Sequence, residues 1–116
     1  MDYLHIDSLT IGAIHGHYEH EWSREQSFDV SLKVGFKSTL SGETDTLADT
    51  IDYDDLKKII QDTFAGKRRF LIEKIAEEIA TTMLEDARVL EVTLTIRKLE
   101  AWEDGVPGVT ITRRRP

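Results

Sequence analysis

Lys98 closes a run in which Leu90, Val92, Leu94 and Ile96 alternate with Glu91, Thr93, Thr95 and Arg97. It shares the parity of the apolar set, so it extends the oily face of a strand at the point where that strand runs out. Desolvation disfavours the charged form of an amine, and an amine so placed can exchange protons near working pH. The alternative is that the strand has already ended and Lys98 snorkels into water. Parity alone leaves both readings open.

The histidines pose a similar choice. His15, His17 and His20 lie close together, and His-x-His on a strand can present two imidazoles for zinc. With no cysteine in the chain, a third protein ligand has to come from His20, His5 or a carboxylate. Gly12, Gly16 and Gly42 lack phosphate-loop spacing, and no Gly-x-Ser-x-Gly elbow is present, so nucleophilic hydrolysis finds no support. Arg113-Arg114-Arg115 is a basic cluster near the C-terminus and reads as a solvated tail rather than a phosphate site. A net charge of −7 argues against duplex nucleic acid as a partner.

The elements that position these residues follow from periodicity. Phe28, Val30, Leu32, Val34 and Phe36 alternate with Ser27, Asp29, Ser31, Lys33 and Gly35, which marks a strand with one buried and one wet face. The segment from Arg88 repeats the pattern, and Val109 and Ile111 alternate with Thr110 and Thr112. Near the start, Leu4 and Ile6 lie on one parity and Leu9, Ile11 and Ala13 on the other, predicting a bulge or turn at Asp7-Ser8. Leu56, Ile59, Ile60 and Phe64 keep helical spacing behind Asp52 as N-cap, and Ala65-Gly66-Lys67 ends that helix. Leu71, Ile72, Ile75, Ile79, Met83 and Leu84 form the stripe of a second helix.

The resulting ββααββ order predicts an α+β fold, a four-stranded antiparallel sheet with both helices on one face. At 116 residues the chain fits one domain over 1–116, with a small core that gains from association. An open sheet leaves two unpaired edges, neither short nor heavily charged, so joining of sheets edge to edge is expected. The absence of cysteine and of a basic, apolar N-terminal signal agrees with a cytoplasmic protein.

Several segments together resemble the dihydroneopterin aldolase family across nearly the whole chain. Ile14-His15-Gly16-His17-Tyr18-Glu19-His20-Glu21 looks like the family's glycine-led loop, with its glutamate at Glu21. Glu25-Gln26 precedes a strand as the family's pair does. Thr44 to Tyr53 is similar to the family's acidic stretch ending in tyrosine, and Leu71-Ile72-Glu73-Lys74-Ile75 to its leucine-rich helix start. Ile96-Arg97-Lys98 matches the strand-end lysine, and Gly108 to Arg113 the closing strand.

The resemblance implies a tunnelling fold, with subunit sheets joined into a barrel and rings stacked into a homo-octamer. It implies retro-aldol cleavage of 7,8-dihydroneopterin in folate biosynthesis without metal, Schiff base or other cofactor. It assigns Lys98 and Tyr53 to catalysis, with Tyr53 presented by a neighbouring subunit. Glu73, as a buried carboxylate, would hold the pterin beside backbone contacts from Ile72, and Glu21 would position the substrate's hydroxyls. Gln26 reads as structural. One departure is Leu99 after the lysine, where many members carry proline. Lys-Leu is similar to the related dihydroneopterin triphosphate epimerase, which the basic C-terminal residues would suit. A zinc-dependent pterin enzyme using His15 and His17, and a non-catalytic acidic interaction domain, are the remaining alternatives.

Overall fold

A computed structural model describes residues 1–116. Strands β1 (Asp2–Ala13), β2 (Gln26–Phe36), β3 (Glu91–Lys98) and β4 (Gly108–Arg114) form one antiparallel sheet in the order β1-β2-β3-β4. Between β2 and β3 run helices α1 (Thr39–Thr44), α2 (Tyr53–Ala65) and α3 (Ile72–Met83). α2 and α3 are the two expected helices, and Asp52 caps α2 by accepting the Asp54 N–H at 2.9 Å. The short α1 was not expected, because it buries no residue and so shows no apolar stripe.

The apolar parity sets build the core. Phe28, Val30, Leu32 and Val34 of β2 and Val92, Leu94 and Ile96 of β3 are buried with Leu56, Ile60 and Phe64 of α2 and Ile75, Ile79 and Met83 of α3. Each such side chain contributes about 1.5–3 kcal/mol through removal from water. The register between β1 and β2 shifts between Ile6 and Leu9, where Ser8 adopts φ 55° and its N–H donates to Ser31 Oγ at 3.0 Å. This is the expected bulge, and it turns Leu9, Ile11 and Ala13 onto the same face as Leu4 and Ile6.

The opposite face is polar and cross-linked. Thr95 pairs with Thr110 at 2.7 Å, Thr93 with Thr112 at 3.2 Å, and Arg97 Nε donates to Asp29 at 2.9 Å. Asp29 and Glu91 are buried although they belong to the wet set, because the guanidinium groups of Arg97 and Arg114 cover them. β3 starts at Glu91 rather than Arg88, since Asp86 accepts the backbone and side-chain N–H groups of Arg88 in a turn. No helix is long and apolar enough to cross a membrane.

The arginine triplet is exposed but is not the free tail its charge suggested. Arg113 Nε donates to Glu77 at 2.9 Å, Arg114 Nε to Glu91 at 2.5 Å, and Arg115 to the carbonyl oxygens of Leu84, Asp86 and Val89. Arg115 thereby satisfies carbonyls past the end of α3 that lack helical partners. Arg115→Ala is expected to destabilise the chain by about 1–2 kcal/mol, read as a lower urea midpoint with unchanged slope.

Candidate active site

Between β1 and β2 the chain leaves the sheet over residues 14–25, and His15 anchors that excursion. Its buried ring donates from Nε2 to the Phe64 carbonyl at 2.7 Å and accepts the Arg69 N–H on Nδ1 at 2.9 Å. Because an amide N–H can only donate, the tautomer is settled. Gly16 N–H adds a bond to the Arg69 carbonyl at 3.0 Å. The loop is thus tied to the segment that leads into α3. Burial lowers the His15 pKa from the ordinary 6.5, against the Phe64 carbonyl, and Arg69 and Arg68 add to the lowering. With both ring nitrogens engaged, the His15/His17 zinc reading loses its first ligand. Nor does any group of three potential metal-binding side chains converge.

A 3-10 turn at Glu19–Glu21 then folds Glu21 under Gly16, where its side chain is buried. A Cβ at position 16 would meet the Glu21 carboxyl carbon at 2.4 Å and its Cβ at 2.6 Å, so only glycine leaves room. Glu21 Oε1 accepts the Tyr18 N–H at 3.2 Å, and Oε2 accepts Gln26 Nε2 at 2.8 Å. Gln26 Nε2 also bonds the His15 carbonyl at 2.8 Å, the structural role expected of it. Lys98 faces Phe28 across the β2–β3 register, which brings the end of β3 to this loop, and its Nζ meets Glu21 Oε2 at 2.5 Å.

This contact decides between the two readings of Lys98. The side chain is only 18% exposed, so it does not snorkel freely, but it is a paired ammonium rather than an amine stranded on an apolar face. Burial by itself would raise the Glu21 pKa. Lys98, Gln26 and the Tyr18 N–H outweigh burial and bring it from 4.5 down to about 2. A cavity of about 180 Å³ opens over the pair, walled by Tyr18, His20 and Arg24 on one side and by Glu100 and Trp102 on the other. Sequence reasoning missed Arg24, Glu100 and Trp102, which sit in loops without periodicity.

The other expected site residues lie elsewhere on the chain. Tyr53 is 61% exposed at the first position of α2, Ile72 is half-buried and Glu73 is exposed, and none lines the cavity over Lys98. Glu73 therefore departs from the buried carboxylate that was expected: the isolated chain has nothing to cover it. α3 starts after Leu71 with no side-chain cap; the Lys74 N–H donates to the Leu71 carbonyl at 3.2 Å, while those of Ile72 and Glu73 lack partners beside a Glu73 carboxylate that makes no salt bridge.

The dihydroneopterin aldolase (FolB) family model matches residues 4–112. The chain belongs to that family. Dihydroneopterin aldolase from Bacillus subtilis is 32% identical over 72% of this chain and 70% of its own length. The FolB crystal structure from Vibrio cholerae superimposes with a TM-score of 0.94 at 26% identity, covering 99% of this chain and 98% of that one. Escherichia coli dihydroneopterin aldolase, solved in complex with neopterin, gives 0.92 at 26% identity over 97% and 99%. The sheet and helices are the tunnelling fold of this family.

Gly16→Ala is expected to push Glu21 away from Lys98, which a crystal structure of the variant would show as a lengthened contact. Two groups of the site contribute to the acid limb of stability, beside Asp2 and Asp86, whose carboxyl pKa values are lowered by hydrogen bonds to Ser38 and Arg88. Both site groups have folded pKa values below their unfolded ones, so the unfolded chain binds more protons and stability falls as pH falls. His15 contributes this loss from about pH 6.5 downward and Glu21 between about 4.5 and 2. Urea titrations should show Glu21→Gln flattening the lower window while leaving the upper one.

Proposed function

We propose that the chain cleaves 7,8-dihydroneopterin by a retro-aldol reaction to 6-hydroxymethyl-7,8-dihydropterin and glycolaldehyde, in folate biosynthesis. The observation that carries this reading is the Lys98–Glu21 pair in a chain of this family, buried yet open to a cavity. The bond between the first and second side-chain carbons, C1′–C2′, breaks as the 2′-hydroxyl loses its proton. Its electron pair enters the conjugated imine of the dihydropterin, and the enol-like intermediate then takes a proton on carbon. The substrate supplies its own electron sink.

Lys98 is the residue we assign to that proton traffic, through water on the ring side: its ammonium gives a proton to the intermediate's carbon, and the proton released by the 2′-hydroxyl, carried by water, restores it. Glu21, with a pKa of about 2, is too weak a base near neutral pH to take a hydroxyl proton. It orients instead, accepting hydrogen bonds from the side-chain hydroxyls and holding the Lys98 ammonium. The Glu73 carboxylate offers two acceptor oxygens to the amino group and ring N–H of a pterin, a bidentate match. The uncapped N–H groups at Ile72 and Glu73 add donors for the ring. Tyr53 approaches from an adjoining copy and assists proton transfer.

That completion requires assembly. β1 and β4 each leave an unpaired edge, and the polar face would line a wet tunnel once sheets join. A cytoplasmic homo-octamer of two stacked tetramer rings, with sites at subunit interfaces, is the form we infer. The epimerase reading drew on the basic triplet as a triphosphate site, and Arg113, Arg114 and Arg115 are committed to Glu77, Glu91 and backbone carbonyls. This favours the aldolase.

Metal-free protein incubated with dihydroneopterin should release glycolaldehyde. Lys98→Ala should lower kcat about 10²–10⁴-fold while pterin binding, followed by fluorescence, survives. Normal turnover by that variant removes Lys98 from the chemistry, and an epimer formed without glycolaldehyde makes the chain an epimerase.

A further inference from the structure

The cavity over Lys98 carries an unusual distribution of charge. Its only permanent cations are Lys98 and Arg24, and each already faces a carboxylate: Lys98 Nζ with Glu21 Oε2 at 2.5 Å, and Arg24 Nη2 with Glu100 Oε2 at 3.3 Å. The carboxylates that line it are Glu21 and Glu100, so its walls carry two charges of each sign and neither cation is left over for an anionic ligand. Glu100 follows Lys98 by two positions on the loop out of β3, whose base is fixed by the Leu99 N–H to the Ser27 carbonyl at 3.1 Å and the Lys98 N–H to Pro107 at 3.0 Å. Arg24 stands on the facing loop, two residues before Gln26. The ion pair therefore spans the mouth from wall to wall.

We infer that Glu100 determines the charge selectivity of this site by occupying Arg24. The inference rests on the aldolase reading, in which the breaking bond lies at Lys98 and Glu21. The remainder of the side chain, a single carbon bearing the terminal hydroxyl, then points toward Arg24 and Glu100. A free hydroxyl donates to Glu100 and leaves the pair intact. A phosphate ester on the same oxygen brings up to two negative charges against Glu100 and finds Arg24 already engaged. Like-charge juxtaposition at a pocket wall disfavours the wrong ligand. The pair is partly exposed, with side chains 65% and 40% accessible, so its effect is sensitive to salt.

The test compares kcat/KM for dihydroneopterin and for its 3′-phosphate in the full chain, in Glu100→Gln and in Arg24→Gln/Glu100→Gln. Glu100→Gln should raise the phosphate-to-free selectivity ratio about tenfold, an effect of the size expected for one partly exposed charge. The double variant should lose that gain, and the gain should shrink as salt is raised. A ratio unmoved in Glu100→Gln, or a gain that persists without Arg24, overturns the inference while the aldolase reading stands. Failure of the unaltered protein to release glycolaldehyde from dihydroneopterin overturns both.

Discussion

The contact between the Lys98 ammonium and the Glu21 carboxylate is the constraint around which this end of the molecule is arranged. Both groups are largely withdrawn from water, and a buried charge left without its partner costs several kcal/mol. The surrounding residues exist to prevent that. Gly16 clears the space, Gln26 and the Tyr18 N–H complete the carboxylate's hydrogen bonds, and His15 ties the loop to the segment before α3. The β2–β3 register sets Lys98 opposite Phe28 and so delivers the amine to the loop. A slip of one residue there would turn Lys98 to the other sheet face and leave Glu21 unpaired.

Of the site residues that the resemblance implies, the chain by itself brings together only two. Lys98 and Glu21 converge within it, while Glu73 and Tyr53 stay exposed on the helix-bearing side. Leu71 and Phe70 beside Glu73 and Leu47 ahead of Tyr53 are more than half exposed as well. Apolar side chains of this size, adjacent to uncapped helix N–H groups, form the kind of surface that another copy would cover in the proposed assembly. The unpaired edges at β1 and β4 would be the means of bringing that copy in. On that proposal fold and site are coupled, since the same open edges that leave the sheet unfinished would bring the second half of the site.

Strand parity carried most of the fold. Phe28 to Phe36 and Val92 to Ile96 are buried as their alternation demands, and the phase change between Ile6 and Leu9 located the bulge. Helical spacing did the same for α2 and α3. What parity could not reveal were contacts between segments distant in sequence. Glu21 and Lys98 are 77 residues apart and were named separately, with nothing in either segment to show that they meet. The arginine triplet misled because a run of like charge looks solvated until its carboxylates and carbonyls are located, and Glu77, Glu91 and Leu84 lie on other elements. Glu73 misled for a different reason, since its burial depends on a surface that one chain does not contain.

The position of Lys98 also explains why its partner is so firmly held. An amine at the rim of an apolar face is held in place by burial but penalised for its charge. A carboxylate beside it offsets that penalty, and even one of ordinary basicity stays ionised there, because carboxylate and amine reference pKa values lie about six units apart. The three donors to Glu21 fix its position and extend its negative charge down to pH values near 2. The Lys98 nitrogen thus lies next to the cavity with a fixed negative charge behind it, an arrangement that a carboxylate free to leave its hydrogen bonds could not maintain.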